Sequence, residues 1–310
     1  MNPRKIAILS VLLLLLGGFY YFFEVRRSAS QKAKAEISKK VLNIDAEQIE
    51  RIGLKNSKGV LALEKRGEEW FLVQPITTLA DTWAVQRIVD TFADGSWERE
   101  VTPLPEDVAG FGIAEPEIEV MLSVKGISEP KRVLVGGENP AGNMRYIRVN
   151  QEERLLLVRT HFIDVLDKNA DDLRDKRIIR FKEDTVAKVV WRIDNKSFEA
   201  ERKENKWALM EPAAAKIDQS RINSLIWRLE GLKFKKILEK PDHPFSYYGL
   251  EKPSGAARLM DQEGKSIASL IFGASKGPTA SFFAKAEGND TVYELSYDFV
   301  NDLPRPEETE

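Results

Sequence analysis

The sequence predicts an α+β protein: two tandem copies of an antiparallel-strand-rich domain with one main helix each, behind a single N-terminal transmembrane helix. Three observations carry this expectation. Residues 68–81 read EEWFLVQPITTLAD, and 205–218 read NKWALMEPAAAKID, with Trp, Leu, Pro and Asp at one spacing. Short alternating runs punctuated by glycine and proline surround one helical pattern in each copy. Ile6 to Phe23 is an uncharged run of 18 residues.

The repeat is the first element to justify, because it sets the domain boundaries. A constant offset of 137 carries Glu64 to Glu201, Trp70 to Trp207, Leu72 to Leu209, Pro75 to Pro212 and Asp81 to Asp218. The same offset carries Gly112 to Gly249, Pro116 to Pro253, Gly136 to Gly273, Phe162 to Phe299 and Leu166 to Leu303. Conservative pairs follow it too, among them Phe111/Tyr248 and Tyr146/Phe283. So long a period marks duplicated domains, not a solenoid of small units. The expected organisation is a tail at 1–5, an anchor at 6–23, a basic stalk at 24–40, and domains at 41–177 and 178–310.

At 1.5 Å per residue the apolar run reaches about 27 Å, close to the hydrocarbon thickness of a bilayer. Tyr20 to Phe23 close it as an interfacial aromatic belt would. The residues that follow, FYYFFEVRR, are bulky and basic, which argues against a cleaved signal peptide. A short tail held inside with the body exported is the expected orientation, in an inner-membrane, single-pass protein. Residues 6–23 would then contact membrane lipid.

Within each copy, IERIGLKN, GVLALEKRG and EWFLVQP predict a meander. Pro75 ends its third strand because it cannot donate to a ladder. Asp81 then precedes Trp83, Val85, Ile88, Val89 and Phe92 at helical spacing, and is the expected N-cap, with Gly95 as the stop. The second copy offers Asp218, then Ile222, Leu225, Ile226 and Leu229, with Gly231 as the stop. A second strand-rich section follows in each copy, and each copy closes on a helix-like segment, HFIDVLDK or YDFVNDLP. Trp70 and Trp207 are expected in the core. DKNADD at 167–172 reads as a solvated linker between the copies.

Composition excludes several chemistries. The chain has 310 residues, a net charge of −2 and no cysteine. Disulfides, thiol catalysis and cysteine-ligated metals are therefore excluded, and no broad basic field invites nucleic acid. The two histidines, His161 and His243, lack metal-ligand spacing. VGGENPAGN and FGASKGPTAS lack the phosphate-binding lysine pattern and read as turns between strands. No serine-hydrolase elbow occurs. No catalytic residue, cofactor or metal is expected. Exposure of Trp97 and Trp227 would mark a ligand or partner surface, and burial of both would argue against one.

The W-x-L-x-x-P-x5-D pattern, the later [FY]-G-[IL]-x-x-P element and DDLRDKRIIRF at 171–181 resemble the bacterial domain-of-unknown-function family four-three-four-zero. The resemblance covers 41–310. Relatives accompany ABC transport systems of the gliding-motility type, or are fused to their components. The resemblance therefore implies an envelope accessory role beside ABC transporter subunits. It implies no catalytic residues, since the family has none established. The expected function is a non-enzymatic, membrane-anchored accessory or scaffold subunit. The alternative is a periplasmic binding module for a glycan or other envelope ligand.

Overall fold

A computed structural model describes residues 17–21, 39–102, 104, 108–193, 195–204, 206–211, 218–274 and 281–305. Most of the expected anchor, the stalk up to residue 38 and Pro212 lie outside these residues. Among the described residues no helix is long and apolar enough to cross a membrane.

The chain divides into two compact units, Met1–Asp175 and Lys176–Glu310. In the first, alternation of apolar and polar residues lays out Ile49–Asn56 (β1), Gly59–Arg66 (β2) and Glu69–Gln74 (β3). Ile52 faces Leu63, Leu54 faces Leu61, and Leu63 faces Leu72, so one face of this meander is apolar. The short strand Thr78–Leu79 (β4) pairs with β3. Thr82–Ala93 (α1) follows, then Arg99–Val101 (β5). The second strand-rich section comprises Ile118–Val124 (β6), Lys131–Glu138 (β7), Met144–Val149 (β8) and Leu155–Arg159 (β9).

The two meanders do not stand apart on either side of the helix. β1 pairs with β6, which fuses them into one antiparallel sheet of order β4-β3-β2-β1-β6-β7-β8-β9-β5. Fusion continues the apolar face: Leu54 meets Val120, Val120 meets Val133, and Val133 meets Val149. Val85, Ile88, Val89 and Phe92 of α1 join this face in a single core. A smaller cluster of Ile113, Leu134 and Leu155 is separate from it, with Phe111 and Tyr146 packed against it. A sheet clustered on both faces explains why Leu155, Leu156, Leu157 and Val158 of β9 are all buried.

The second unit repeats this plan. Lys188–Ile193 (β10), Lys196–Lys203 (β11) and Lys206–Glu211 (β12) form the first section. Gln219–Glu230 (α4) is the main helix. Lys236–Leu238 (β13), Gly255–Met260 (β14), Ser266–Ala274 (β15), Phe282–Ala286 (β16) and Val292–Leu295 (β17) complete the sheet. Its order is β12-β11-β10-β14-β15-β16-β17-β13.

Several local expectations need correction. Trp83 is 81% exposed and stands off the buried stripe of α1. Val85, Ile88, Val89 and Phe92 complete the 3.6-residue period without it. α1 ends at Ala93 with Asp94 as C-cap, and Gly95 follows as the stop. A Cβ on Gly95 would fall on the Thr91 carbonyl of the last turn and meet the Phe162 ring at 2.6 Å. The closing segments are short, a four-residue helix at His161–Asp164 (α2) and a 3-10 turn at Phe299–Asp302. DKNADD is solvated as expected, with Asp167, Asn169, Asp171 and Asp172 exposed, but it belongs to the first unit and is not a linker. Asn169 caps Ala170–Leu173 (α3) through a reciprocal capping box with Asp172, and Leu173 is fully buried. The Asp81 N–H donates to the Leu173 carbonyl and the Asp175 N–H to the Leu79 carbonyl, which closes the unit on itself.

Each unit starts on the same backbone strap. The Trp97 N–H donates to the Lys39 carbonyl, and the Val41 N–H to the Gly95 carbonyl. At the offset of 137, Phe234 donates to Lys176 and Ile178 to Leu232. The last two residues of the expected stalk, Lys39 and Lys40, thus belong to the folded unit.

Candidate functional site

The repeated motif residues come first, because they were the strongest sequence signal. Trp70 and Trp207 are buried, and the Trp207 indole donates to Asn223 of α4 at 2.8 Å. Leu72 is fully buried, whereas Leu209 is half-buried at the core margin. Asp81 accepts the Ala84 N–H at 3.1 Å and Asp218 accepts the Ser220 N–H at 2.8 Å, so both cap their helices. Pro75 follows β3 and Pro116 precedes β6. Pro253 likewise precedes β14.

The glycines have a specific reason. Gly112 and Gly249 both adopt φ +70, a left-handed conformation that favours glycine. A Cβ on Gly112 would meet the Gly137 nitrogen at 2.7 Å. A Cβ on Gly136 would fall on the Phe111 carbonyl, and one on Gly273 would meet the Gly249 oxygen at 2.5 Å. Gly136 and Gly137 therefore lie within β7 as contact points, and only Asn139–Gly142 makes the turn expected of that stretch. Beside each contact an aromatic pair meets edge to face: Phe111 with Tyr146 at 4.8 Å, and Tyr248 with Phe283 at 5.0 Å. The identities are exchanged between copies and the geometry is kept. The shared tryptophans, aspartates and glycines are thus accounted for by folding.

The unshared positions form a site. A cleft of about 890 Å³ opens in the first unit between the end of β1, the Ala114–Glu119 segment, β7, β8, the end of α2 and Asp167 beyond it. Asn56 builds its end, donating to the carbonyls of Leu166 at 3.1 Å and Lys168 at 2.8 Å. Lys58 fixes Asp167 at 2.9 Å. Arg132 pairs with Glu119 and Arg145 with Glu117, each at 2.6 Å, and Arg145 reaches Glu138 at 3.2 Å. Glu115 and Asp164 also line the cleft and are exposed. At the offset of 137, Glu115, Glu117, Glu119, Arg132, Arg145 and Asp164 become Lys252, Ser254, Ala256, Ser269, Phe282 and Asn301. The charged lining belongs to one copy alone. Sequence reasoning passed over it because it looked for residues shared by the copies. Its signal was the loss of charge at the offset, in KRVLV and RYIRV against their counterparts.

Trp97 and Trp227 behave differently from each other. Trp97 is half-buried against the first core with Lys39 over its ring, and its counterpart Phe234 is buried. Trp227 is 68% exposed on α4. His161 opens α2 on the surface, where the second copy has Asp298 accepting the Val300 N–H. His243 stacks beside Tyr247 at 4.2 Å. Next to it the Tyr248 hydroxyl donates to Asp242 at 2.7 Å. Burial and this carboxylate push the Tyr248 phenol up, and the same bond holds Asp242 low. Among the described residues no group of three or more histidines and carboxylates could hold a metal.

One sequence family matches the chain, described as Domain of unknown function (DUF4340), over residues 70–211 and 207–309. The chain belongs to the DUF4340 family. The two matched regions begin at Trp70 and Trp207, one repeat apart. The first runs from β3 through the rest of its unit and on into β12. No curated protein and no solved structure matches the chain.

Proposed function

We propose that this DUF4340 chain is a non-enzymatic, membrane-anchored recognition protein. Residues 6–23 tether it, and its two units act as an accessory or scaffold of a membrane complex, with an ABC-type transporter as the partner class. The observation that carries this reading is the division of labour between shared and unshared residues. Shared residues build cores, caps and close backbone contacts. The charged cleft of the first unit is the feature that only one copy carries. A polar cleft whose arginines are already bridged to glutamates suits recognition of a charged surface, and tethering raises the local concentration of such a partner. In-cell crosslinking of the tagged full-length chain, followed by mass spectrometry, tests this. Enrichment of a permease or ATPase subunit over a control carrying an unrelated anchor is expected. Absence of any protein above that control would remove the reading.

A second reading, a binding module for an envelope glycan, is favoured by one observation, the exposure of Trp227 and Trp83. Sugar rings stack on such surfaces. Quenching or enhancement of tryptophan emission by envelope glycans, lost on Trp227→Ala or Trp83→Ala, is its expected signature.

A further inference from the structure

The second unit carries a groove of about 300 Å³ with a cationic lining, in which Arg221, Ser224 and Arg228 of α4 meet Asn301, Asp302 and Arg305. The three helical residues follow helical spacing, so one stripe of α4 supplies them. Both walls are anchored in one core. Ile222, Leu225, Ile226 and Leu229 bury the other side of α4 there, and Leu303 is buried in the same cluster. The Trp191 indole donates to the Pro304 carbonyl at 2.8 Å, which fixes the point from which Arg305 departs.

The charge in this groove does not cancel. Arg228 and Asp302 pair at 2.8 Å and neutralise each other. Asp302 is the one carboxylate in the lining. Asp218 feels the Arg221 charge, but its carboxyl is taken up as the helix cap. Arg221 and Arg305 are exposed and make no ion pair among the described residues. Folding does not demand Arg221. At the offset of 137 the same helix forms with buried Ala84 in its place. Like charges sharing a groove raise each other's free energy, and an anion between them removes that cost. A carboxylate has two oxygens and satisfies one guanidinium fork. A phosphate group presents enough oxygens for two, and Ser224 adds a hydroxyl donor.

We propose that the α4 groove is a binding site for a phosphate-bearing anion, gripped by Arg221 and Arg305 with Ser224 as a further donor. Arg228 stays with Asp302 and shapes the groove. The same chemistry serves a soluble phosphate ester or an anionic lipid headgroup, and the two sources are separable by experiment.

Full-length protein in a maltoside detergent is titrated into glycerol phosphate, with chloride holding ionic strength constant, and the phosphorus NMR line is followed. Saturable broadening is expected. Arg221→Gln with Arg305→Gln should weaken the apparent affinity by roughly tenfold or more. Arg87→Gln, on the main helix of the first unit, should leave it unchanged. Unchanged near-UV circular dichroism shows that these variants fold. In a second arm the protein is reconstituted into phosphatidylcholine membranes with or without phosphatidylglycerol. Trp227 is exposed one turn along α4 from Ser224, so its emission reports on the groove. A Trp227 response to phosphatidylglycerol that the double variant loses assigns the groove to a headgroup. Broadening without that response assigns it to a soluble ester. Neither broadening nor a Trp227 response would overturn the proposal, and so would effects that the double variant keeps in full.

Discussion

Gly136 sits where a single methyl group would fall on the carbonyl oxygen of Phe111. Gly136→Ala should therefore destabilise the first unit by roughly 3 kcal/mol or more, measured by denaturant unfolding, because backbone and not a flexible side chain must move. Trp70→Ala should cost about 3–5 kcal/mol by leaving a cavity in the core. Trp227→Ala should change stability by about 0.5 kcal/mol or less, since its ring is largely in solvent. Tyr297 gives a pH signature: although the residue is 41% exposed, partial desolvation of the phenol and the neighbouring Asp302 push it up to about 12. A raised folded value means that its contribution is complete below pH 10 and is lost as pH rises toward 12. Phenolate absorbance should show a late-titrating component that Tyr297→Phe removes. At this scale the sequence displayed which residues matter but not why. The glycine pairs were visible as a repeat, but the contacts that require them join residues 24 apart across two elements, which no local pattern reports.

The helices and strands were legible to the extent that their period was clean. α4 followed its stripe of Ile222, Leu225, Ile226 and Leu229, and strict alternation located the paired strands. Trp83 was drawn into the stripe of α1 by its hydrophobicity although its angle on the helix is wrong. The pairing of β1 with β6 was not legible either. An antiparallel partner separated by more than 60 residues leaves no mark on local periodicity. The helix caps yield two predictions. Asp81→Ala should cost about 1 kcal/mol in unfolding experiments by orphaning an N-terminal amide. The Ser220 backbone N–H holds the Asp218 carboxyl below its usual 3.8. A depressed folded value means that this stabilisation is present above that pH and is lost as pH falls through the folded value. Asp218→Asn should flatten the acid limb of stability against pH while leaving α4 intact by circular dichroism.

At the scale of the whole molecule, two copies of one fold have diverged in charge but not in packing. A strap at Lys39 or Lys176 opens each unit, each unit has its own core, and the contacts of Asp81 and Asp175 close the first on itself. A fragment spanning 39–175 should accordingly unfold in one cooperative transition, with a denaturant slope appropriate to its size. The copy-specific cleft could be read from the sequence only by comparing the copies for what they do not share. Its residues come from β1, β6, β7, β8, α2 and the turn after it, and only the folded unit assembles them. The account rests on recognition through that cleft. The decisive measurement is in-cell crosslinking of full-length chain carrying Glu115→Lys with Asp164→Lys, against wild type and a variant altered at the second-unit counterparts Lys252 and Asn301. The cleft variant should lose the specific partner adduct while its abundance and membrane retention hold, and the counterpart variant should keep it. An undiminished adduct from the cleft variant would contradict the account.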